Sequence, residues 1–379
     1  MFNFKNSKNI IGLDISDSNF KAVQLIRSGK KIKIQALSRV DLPKGIIEHG
    51  SIKDKQVATT ALHDLLSKPL YGSFSTNQIV ACLPETRTFI KLITVEKGPN
   101  SLETIIESEI EKNIPMSIIE MYYDWQTVKI NEDNYSVLIG AAPQRIVDQY
   151  IDLIKSAKLD ISALEIEAVP ICRSLLAEEL PKSDDLPNVA YSIIDIGAKR
   201  TSLIIYASGS IVFTLSLPIS GEEITERISG TLEINRDQAE KAKIICGLDK
   251  TNARGIIHDI LFDIIQELTS KINDAFEYYS KNYPELPPIK KIIVCGGGSN
   301  IKNLNEILTN ELNIEVVKGN PFNNISETEE DFGKNLLEVH STKDKKIPDI
   351  ISKSTIKQSS SISYTTSIGL ALRNIFLAK

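Results

Sequence analysis

Metal-type cysteine spacing, long apolar runs and an excess of positive charge are all missing from this sequence. The four cysteines, Cys82, Cys172, Cys246 and Cys295, stand far apart, with no CxxC pair and no Cys/His zinc spacing. Three of them sit in apolar stretches and read as reduced core residues, as expected in the cytoplasm. His49, His63, His258 and His340 are scattered, with neither metal nor triad spacing. No apolar run approaches the roughly 18 residues needed to cross a bilayer. The N-terminus, MFNFKNSKNIIGLD, has neither the apolar core nor the cleavage site of a secretory signal. A soluble cytosolic chain is expected, with any membrane contact peripheral. With 44 Lys+Arg against 49 Asp+Glu the formal charge is −5, so nothing draws the whole chain to nucleic acid.

What is present is enough for a large core: 379 residues, 42% hydrophobic, which should form two lobes or more. Residues 9–26, NIIGLDISDSNFKAVQLI, read as an apolar strand ending at Asp14, a short polar turn and a second strand from Phe20. Residues 191–206, YSIIDIGAKRTSLIIY, repeat the pattern, with Asp195 matching Asp14. An Asp where a buried strand meets a tight turn can hold a metal ion or orient water beside a phosphate. Alone, either Asp could simply cap its turn. Two such hairpins imply two similar half-domains facing each other across a nucleotide.

In chain order, the first lobe starts at 8–84: a three-stranded meander, a helix (Val57, Ala61, Leu62, Leu65 and Leu66 at helical spacing) and the strand NQIVACLP. Residues 85–162 read as an inserted α+β module of strand, helix, two strands and helix, whose lone tryptophan, Trp125, is a core residue. Residues 163–186 re-enter the first lobe, and PKSDDLP at 181–187 reads as a hinge. The second lobe comprises its core at 187–221, a helical part at 222–288 and a return at 289–322 with the strand–GGG–helix sequence. Residues 323–361 read as a polar loop, and 362–379 as a closing helix of the first lobe.

The order of Asp hairpin, second Asp hairpin and strand–GGG–helix resembles the actin, heat-shock chaperone and sugar-kinase superfamily. Within it the chain resembles the PilM family of type IV pilus assembly, on GLDISDSNFKAVQL, LPKGIIEHGSIKD, CLPETRTFIKLITV, IEKNIPMSIIEMYYDW, SGEEITERI, GNPF and SIGLALR. The implied fold is an α/β, actin-like (ribonuclease H-like) two-lobed ATPase fold with an inserted α+β subdomain. The implied cofactors are ATP or ADP with Mg²⁺, a ligand that needs backbone N–H donors and few bulky side chains. By resemblance Asp14 and Asp195 serve the metal and Lys21 a phosphate. Gly197 permits close backbone approach, and Thr201 stands at a phosphate-side hydroxyl position. Glu240 and Lys243, three apart on one helix face, match a ribose- and adenine-holding pair. Gly296, Gly297 and Gly298 lie against the nucleoside. Glu167 falls where the superfamily orients attacking water. Family members usually carry Gly then Ser or Thr where this chain has Ser16 and Asp17. Asp17 could therefore help hold Mg²⁺ or repel the terminal phosphate.

The resemblance further implies a cytoplasmic scaffold that binds the N-terminal cytoplasmic tail of the membrane protein PilN in a groove between the inserted module and the first lobe, lined by residues around 85–168. That contact would hold it at the inner face of the cytoplasmic membrane with other pilus assembly proteins. ATP hydrolysis would be slow or absent, and self-association into a homo-oligomer stays open. Two alternatives share the nucleotide residues: an FtsA-like filament-forming division protein and a small-molecule kinase.

Overall fold

The computed structural model describes residues 9–99, 101–114, 116–130, 132–176, 189–328, 330–333 and 361–377. The chain divides into two compact units, 1–178 with 320–379, and 179–319. The hinge expected at 181–187 lies outside the described residues.

The first unit is built on β1 (Ile11–Ile15), β2 (Asn19–Ser28), β3 (Lys31–Asp41), β4 (Ile47–Glu48), β5 (Ser51–Ile52), α1 (Lys55–Ser67), β6 (Tyr71–Gly72) and β7 (Gln78–Leu83). There follow β8 (Phe89–Glu96), α2 (Leu102–Asn113), β9 (Met121–Ile130), β10 (Asn134–Pro143), α3 (Gln144–Ser156), β11 (Asp160–Ile166) and α4 (Ala168–Leu175). Its sheet runs β11-β7-β1-β2-β3-β6, parallel from β11 to β1 and antiparallel from β1 to β6. All five residues of β1 are buried because both faces of the sheet are covered, which is why the stretch before Asp14 reads as an unbroken apolar run. One face carries α1, started by the Asp54 side chain accepting from the Val57 amide. The other carries the last helix.

That last helix, α9 (Thr365–Leu377), lies against β1 and α4 at backbone contact distance. A Cβ on Gly12 would stand 2.1 Å from the Ser367 carbonyl oxygen, and one on Gly369 1.9 Å from that of Pro170. Phe322 and Phe332 join Tyr364, Ile368 and Leu372 in the core under β2 and β3. The first part of the expected polar loop is thus packed, and 334–360 lie outside the described residues.

Residues 85–143 have a core of their own, with Ile106 and Ile110 of α2 on the antiparallel strands β8-β10-β9. The sequence groups α3 with this module. Its buried face (Ile146, Val147, Tyr150, Leu153, Ile154) instead joins the core of β1, β7 and α1. An amphipathic pattern shows that a face is buried, not what covers it.

The second unit contains β12 (Ala190–Ile196), β13 (Thr201–Ala207), β14 (Ser210–Leu217), α5 (Gly221–Leu232), α6 (Arg236–Cys246), α7 (Ile256–Asn282), β15 (Ile289–Cys295), α8 (Leu304–Leu312) and β16 (Glu315–Lys318). Its strands run β16-β15-β12-β13-β14, parallel from β16 to β12 and antiparallel from β12 to β14. This repeats, strand for strand, the β11-β7-β1-β2-β3 order of the first unit. The two Asp-ended hairpins are therefore equivalent elements of two equivalent sheets.

Candidate functional site

In the first unit Asp14 stands opposite Lys21 across the β1–β2 pair, so both side chains leave the same face. The Lys21 ammonium donates to Asp14 Oδ2 at 2.9 Å, with side-chain exposures of 10% and 6%. One of the three ammonium protons is thereby fixed and two remain. The Cys82 thiol lies 3.7 Å from Asp14 Oδ1. Burial, then Asp14 and Glu167, raise its pKa well above the usual range, so it stays a neutral thiol. The Tyr150 hydroxyl is buried without a hydrogen-bond partner, and its pKa is raised by burial, then by Cys82, Asp17, Glu167 and Asp14. Asp14, Lys21 and Glu167, found from sequence, thus share one neighbourhood with Cys82 and Tyr150, which sequence reasoning missed. A lone Cys and a lone Tyr in apolar runs carry no motif.

Ser16 and Asp17 are both committed to the turn itself. The Ser16 hydroxyl donates to the Asn19 carbonyl at 2.7 Å and accepts from the Asn19 amide at 3.2 Å. The Asp17 carboxylate accepts from the amide of His49 at 2.7 Å and that of Gly50 at 2.9 Å. His49 and Gly50 are consecutive left-handed residues (φ +49° and +74°), which turns their N–H groups toward one anion. Gly50 cannot be replaced freely: a Cβ there would meet Pro84 at 2.5 Å. The Arg87 guanidinium holds the His49 carbonyl at 2.9 Å from the other side. Asp17 is thus a clamp between the first turn and the β4–β5 hairpin.

In the second unit the residues found from sequence converge on the turn after β12. Gly296 (φ +76°) lies so close to Asp195 that a Cβ would stand 2.1 Å from Oδ1, and a Cβ on Gly298 would meet Ile196 at 2.2 Å. Gly297 faces open space. The order strand, glycine turn, helix is as read from the sequence: Gly297–Asn300 form a 3₁₀ turn, fixed by Ser299 Oγ donating to the Gly296 carbonyl at 2.7 Å, and α8 starts at Leu304. Gly197 closes the Asp195 turn, its amide donating to the Arg200 carbonyl at 2.9 Å, and a Cβ there would stand 2.8 Å from that oxygen.

The start of α5 docks on this turn, with the Gly221 and Glu222 amides donating to the carbonyls of Gly197 and Ala198 at 3.0 and 2.9 Å. Lys243 Nζ then donates to the Gly221 carbonyl at 2.9 Å, Thr225 Oγ1 at 2.9 Å and Glu240 Oε2 at 2.7 Å. All three of its protons are used, so Lys243 holds Glu240 in place, and Glu240, with a side chain 46% exposed, faces outward. Burial pushes the Glu222 carboxyl up, but Lys199 at 2.6 Å and Arg236 at 3.3 Å outweigh it and keep it below the usual range. Thr201 is wholly buried on β13, its hydroxyl without a hydrogen-bond partner. Among the described residues no three His, Cys, Asp or Glu side chains gather as a metal site. None of the described helices is long and apolar enough to cross a membrane.

Twin sheets of one strand order, each opening with an Asp-ended hairpin, place the chain in the actin-like class. Its fold is similar to that in the solved PilM–PilN type IV pilus biogenesis complex, over 98% of this chain and 99% of the other (TM-score 0.76, 22% identity). It is also similar to MreB5 of Spiroplasma citri bound to ADP, over 94% of this chain and 99% of the other (TM-score 0.51, 16% identity). By sequence, 178 residues are 27% identical to the cell division protein FtsA of Buchnera aphidicola subsp. Acyrthosiphon pisum (strain APS), covering 40% of this chain and 43% of that protein. The match thus spans less than half the length of that curated relative. The family model of the type IV pilus assembly protein PilM matches residues 12–344, and the chain belongs to that family.

Proposed function

We propose that this chain is a nucleotide-binding scaffold of type IV pilus assembly that binds the N-terminal cytoplasmic tail of PilN. Through that contact it is held at the inner face of the cytoplasmic membrane. The observation that carries the reading is the family match over 12–344, supported by the similarity to the PilM–PilN complex. The PilN groove is assigned to the cleft between the inserted module and the first lobe, lined by residues around 85–168. In this reading the domain boundaries follow the expectation from sequence, except that α3, Phe322 and Phe332 pack with the first-lobe core.

The ligand in this reading is ATP or ADP with Mg²⁺, in keeping with the ADP-bound MreB5 relative. The residues present fit it. Each Asp turn offers one carboxylate, which suits a Mg²⁺ that keeps most of its waters and phosphate ligands. At Gly197 and Gly296 the missing Cβ lets the chain close on Arg200 and on Asp195, and Gly297 faces open space. Bound Mg²⁺ would neutralise phosphate charge. Lys21, aimed by Asp14, has two protons left for phosphate oxygens. Glu240 is the outward member of its pair, and Gly297 offers the open face of the glycine turn. Glu167 is assigned to orient water, and hydrolysis in this reading is slow or absent. Thr201 contributes only if its strand end opens.

Titrating a labelled peptide of the PilN cytoplasmic tail from the same genome, by fluorescence anisotropy, tests the partner. Saturable binding is expected, and a flat titration contradicts the reading. The FtsA match favours a filament-forming alternative only over part of the chain. Filaments in electron micrographs with ATP would revive it.

A further inference from the structure

The module at 85–143 carries a groove that its own packing leaves uncovered. It is a cavity of about 480 Å³ between the outer side of α2 and the turn that leads into β9. Glu107, Ser108 and Glu111 line one wall, and Ile118, Ile119 and Tyr123 the other. Pockets of roughly 300–1,000 Å³ accommodate small ligands, so this one holds a few side chains rather than a folded surface. Ile119 is 81% exposed, more than the other large apolar residues described. With Ile118 and Tyr123 it makes one wall of the groove apolar, a surface that an aliphatic side chain can cover.

The rim is acidic in a way that α2 does not compensate. Glu103, Glu107 and Glu111 follow one another at four-residue spacing, so each repels the next along one helix face. The basic residue of α2, Lys112, is turned to Glu109 at 2.7 Å. Tyr123 donates to Glu107 Oε1 at 2.8 Å, which fixes that carboxylate at the groove wall. A helix that keeps a repelling row gains most from a ligand that brings the cations.

We infer that this groove docks a protein segment presenting an aliphatic side chain flanked by lysine or arginine. The aliphatic group covers Ile119 and Ile118, and the cations pair with Glu107 and Glu111. Every residue that walls this groove belongs to the module, so it is distinct from the cleft between module and first lobe assigned to PilN, and the inference goes beyond the pilus reading.

The test uses a fluorescein-labelled synthetic peptide, Lys-Leu-Lys-Lys-Leu-Lys, against the full chain, Ile119→Asp and the double variant Glu107→Lys/Glu111→Lys. Peptides with Leu changed to Ser, or Lys to Glu, serve as controls. Trp125, the sole tryptophan, lies on the Tyr123 side of β9 and gives an independent emission readout. The expected result is saturable binding, weakened at least about tenfold by either protein variant and by either peptide change. Raising salt should also weaken it, as for exposed charges. Unchanged circular dichroism of the variants ties the losses to the groove. No binding, or equal binding to wild type and variants, overturns the inference. So does a concentration-dependent dimer abolished by Ile119→Asp, since a second copy would then be the occupant. If a PilN-tail peptide fails while this probe binds, the pilus reading fails and the groove stands.

Discussion

Asp17→Ala removes both acceptors that tie the first turn to the β4–β5 hairpin. Hydrogen bonds to a charged group contribute about 1.5–3 kcal/mol each in favourable settings. His49 is exposed, so water replaces that bond, whereas Gly50 is buried and its amide is left without a partner. The expected net cost is about 2 kcal/mol, an unpaired buried donor plus a small remainder. For a unit of this size that lowers the melting temperature by about 4–8 °C. Asp17→Asn, which keeps one acceptor, should fall between. Thermal unfolding followed by circular dichroism reads the stability, and calorimetric titration of ATP and ADP reads the ligand side. Were Asp17 instead a charge aimed at the terminal phosphate, its removal would tighten ATP over ADP. Coulomb repulsion of about 1–4 kcal/mol at 4 Å corresponds to roughly fivefold to nearly a thousandfold. The clamp geometry predicts an ATP/ADP ratio within about twofold of wild type together with the stability loss. An unchanged melting temperature with a large rise in ATP preference would refute the clamp.

Three further perturbations follow from the packing. Glu165 is buried between Arg173 at 2.8 Å and Arg373, so Glu165→Gln leaves two guanidinium groups uncompensated and should cost about 3–5 kcal/mol in denaturant unfolding. Burial raises its pKa, but Arg173 and then Arg373 outweigh this and hold it below its ordinary 4.5. Its stabilisation is therefore present above pH 4.5 and lost as pH falls below it, and the acid-unfolding slope there should be shallower in Glu165→Gln. Gly369→Ala pushes a Cβ into the Pro170 backbone, 1.9 Å away, and should destabilise by at least about 1–3 kcal/mol; an unchanged unfolding midpoint would show that α9 and α4 are not in close contact. Lys243→Met releases the Gly221 carbonyl and Thr225, so amide exchange at 221–225 should accelerate even without nucleotide; a loss of ligand affinity with unchanged exchange would mean that Lys243 touches the ligand directly.

The hairpins were legible because strands buried on both faces leave unbroken apolar runs, and an Asp closing such a run stands out. Their repetition carried the twin-sheet architecture. What stayed hidden has its partner in backbone. Asp17 is held by the amides of His49 and Gly50, and Lys243 by the carbonyl of Gly221, groups every residue has and no sequence pattern marks. The placement of α3 was hidden for another reason, since its apolar stripe suits either the module or the first-lobe core. The order strand, glycine turn, helix was legible too, but not the 3₁₀ form of the turn, which rests on the Ser299 bond to the Gly296 carbonyl.

The central claim of the proposed function is that this PilM-family chain binds a nucleotide at the Asp195 turn. Calorimetric titration of Mg²⁺–ADP and Mg²⁺–ATP into wild type and Asp195→Ala tests it most directly, with circular dichroism confirming that the variant is folded. The account predicts saturable binding to wild type that the substitution abolishes. No heat of binding to wild type, or equal affinity in the two proteins, would contradict it and leave a scaffold that retains the fold without its ligand.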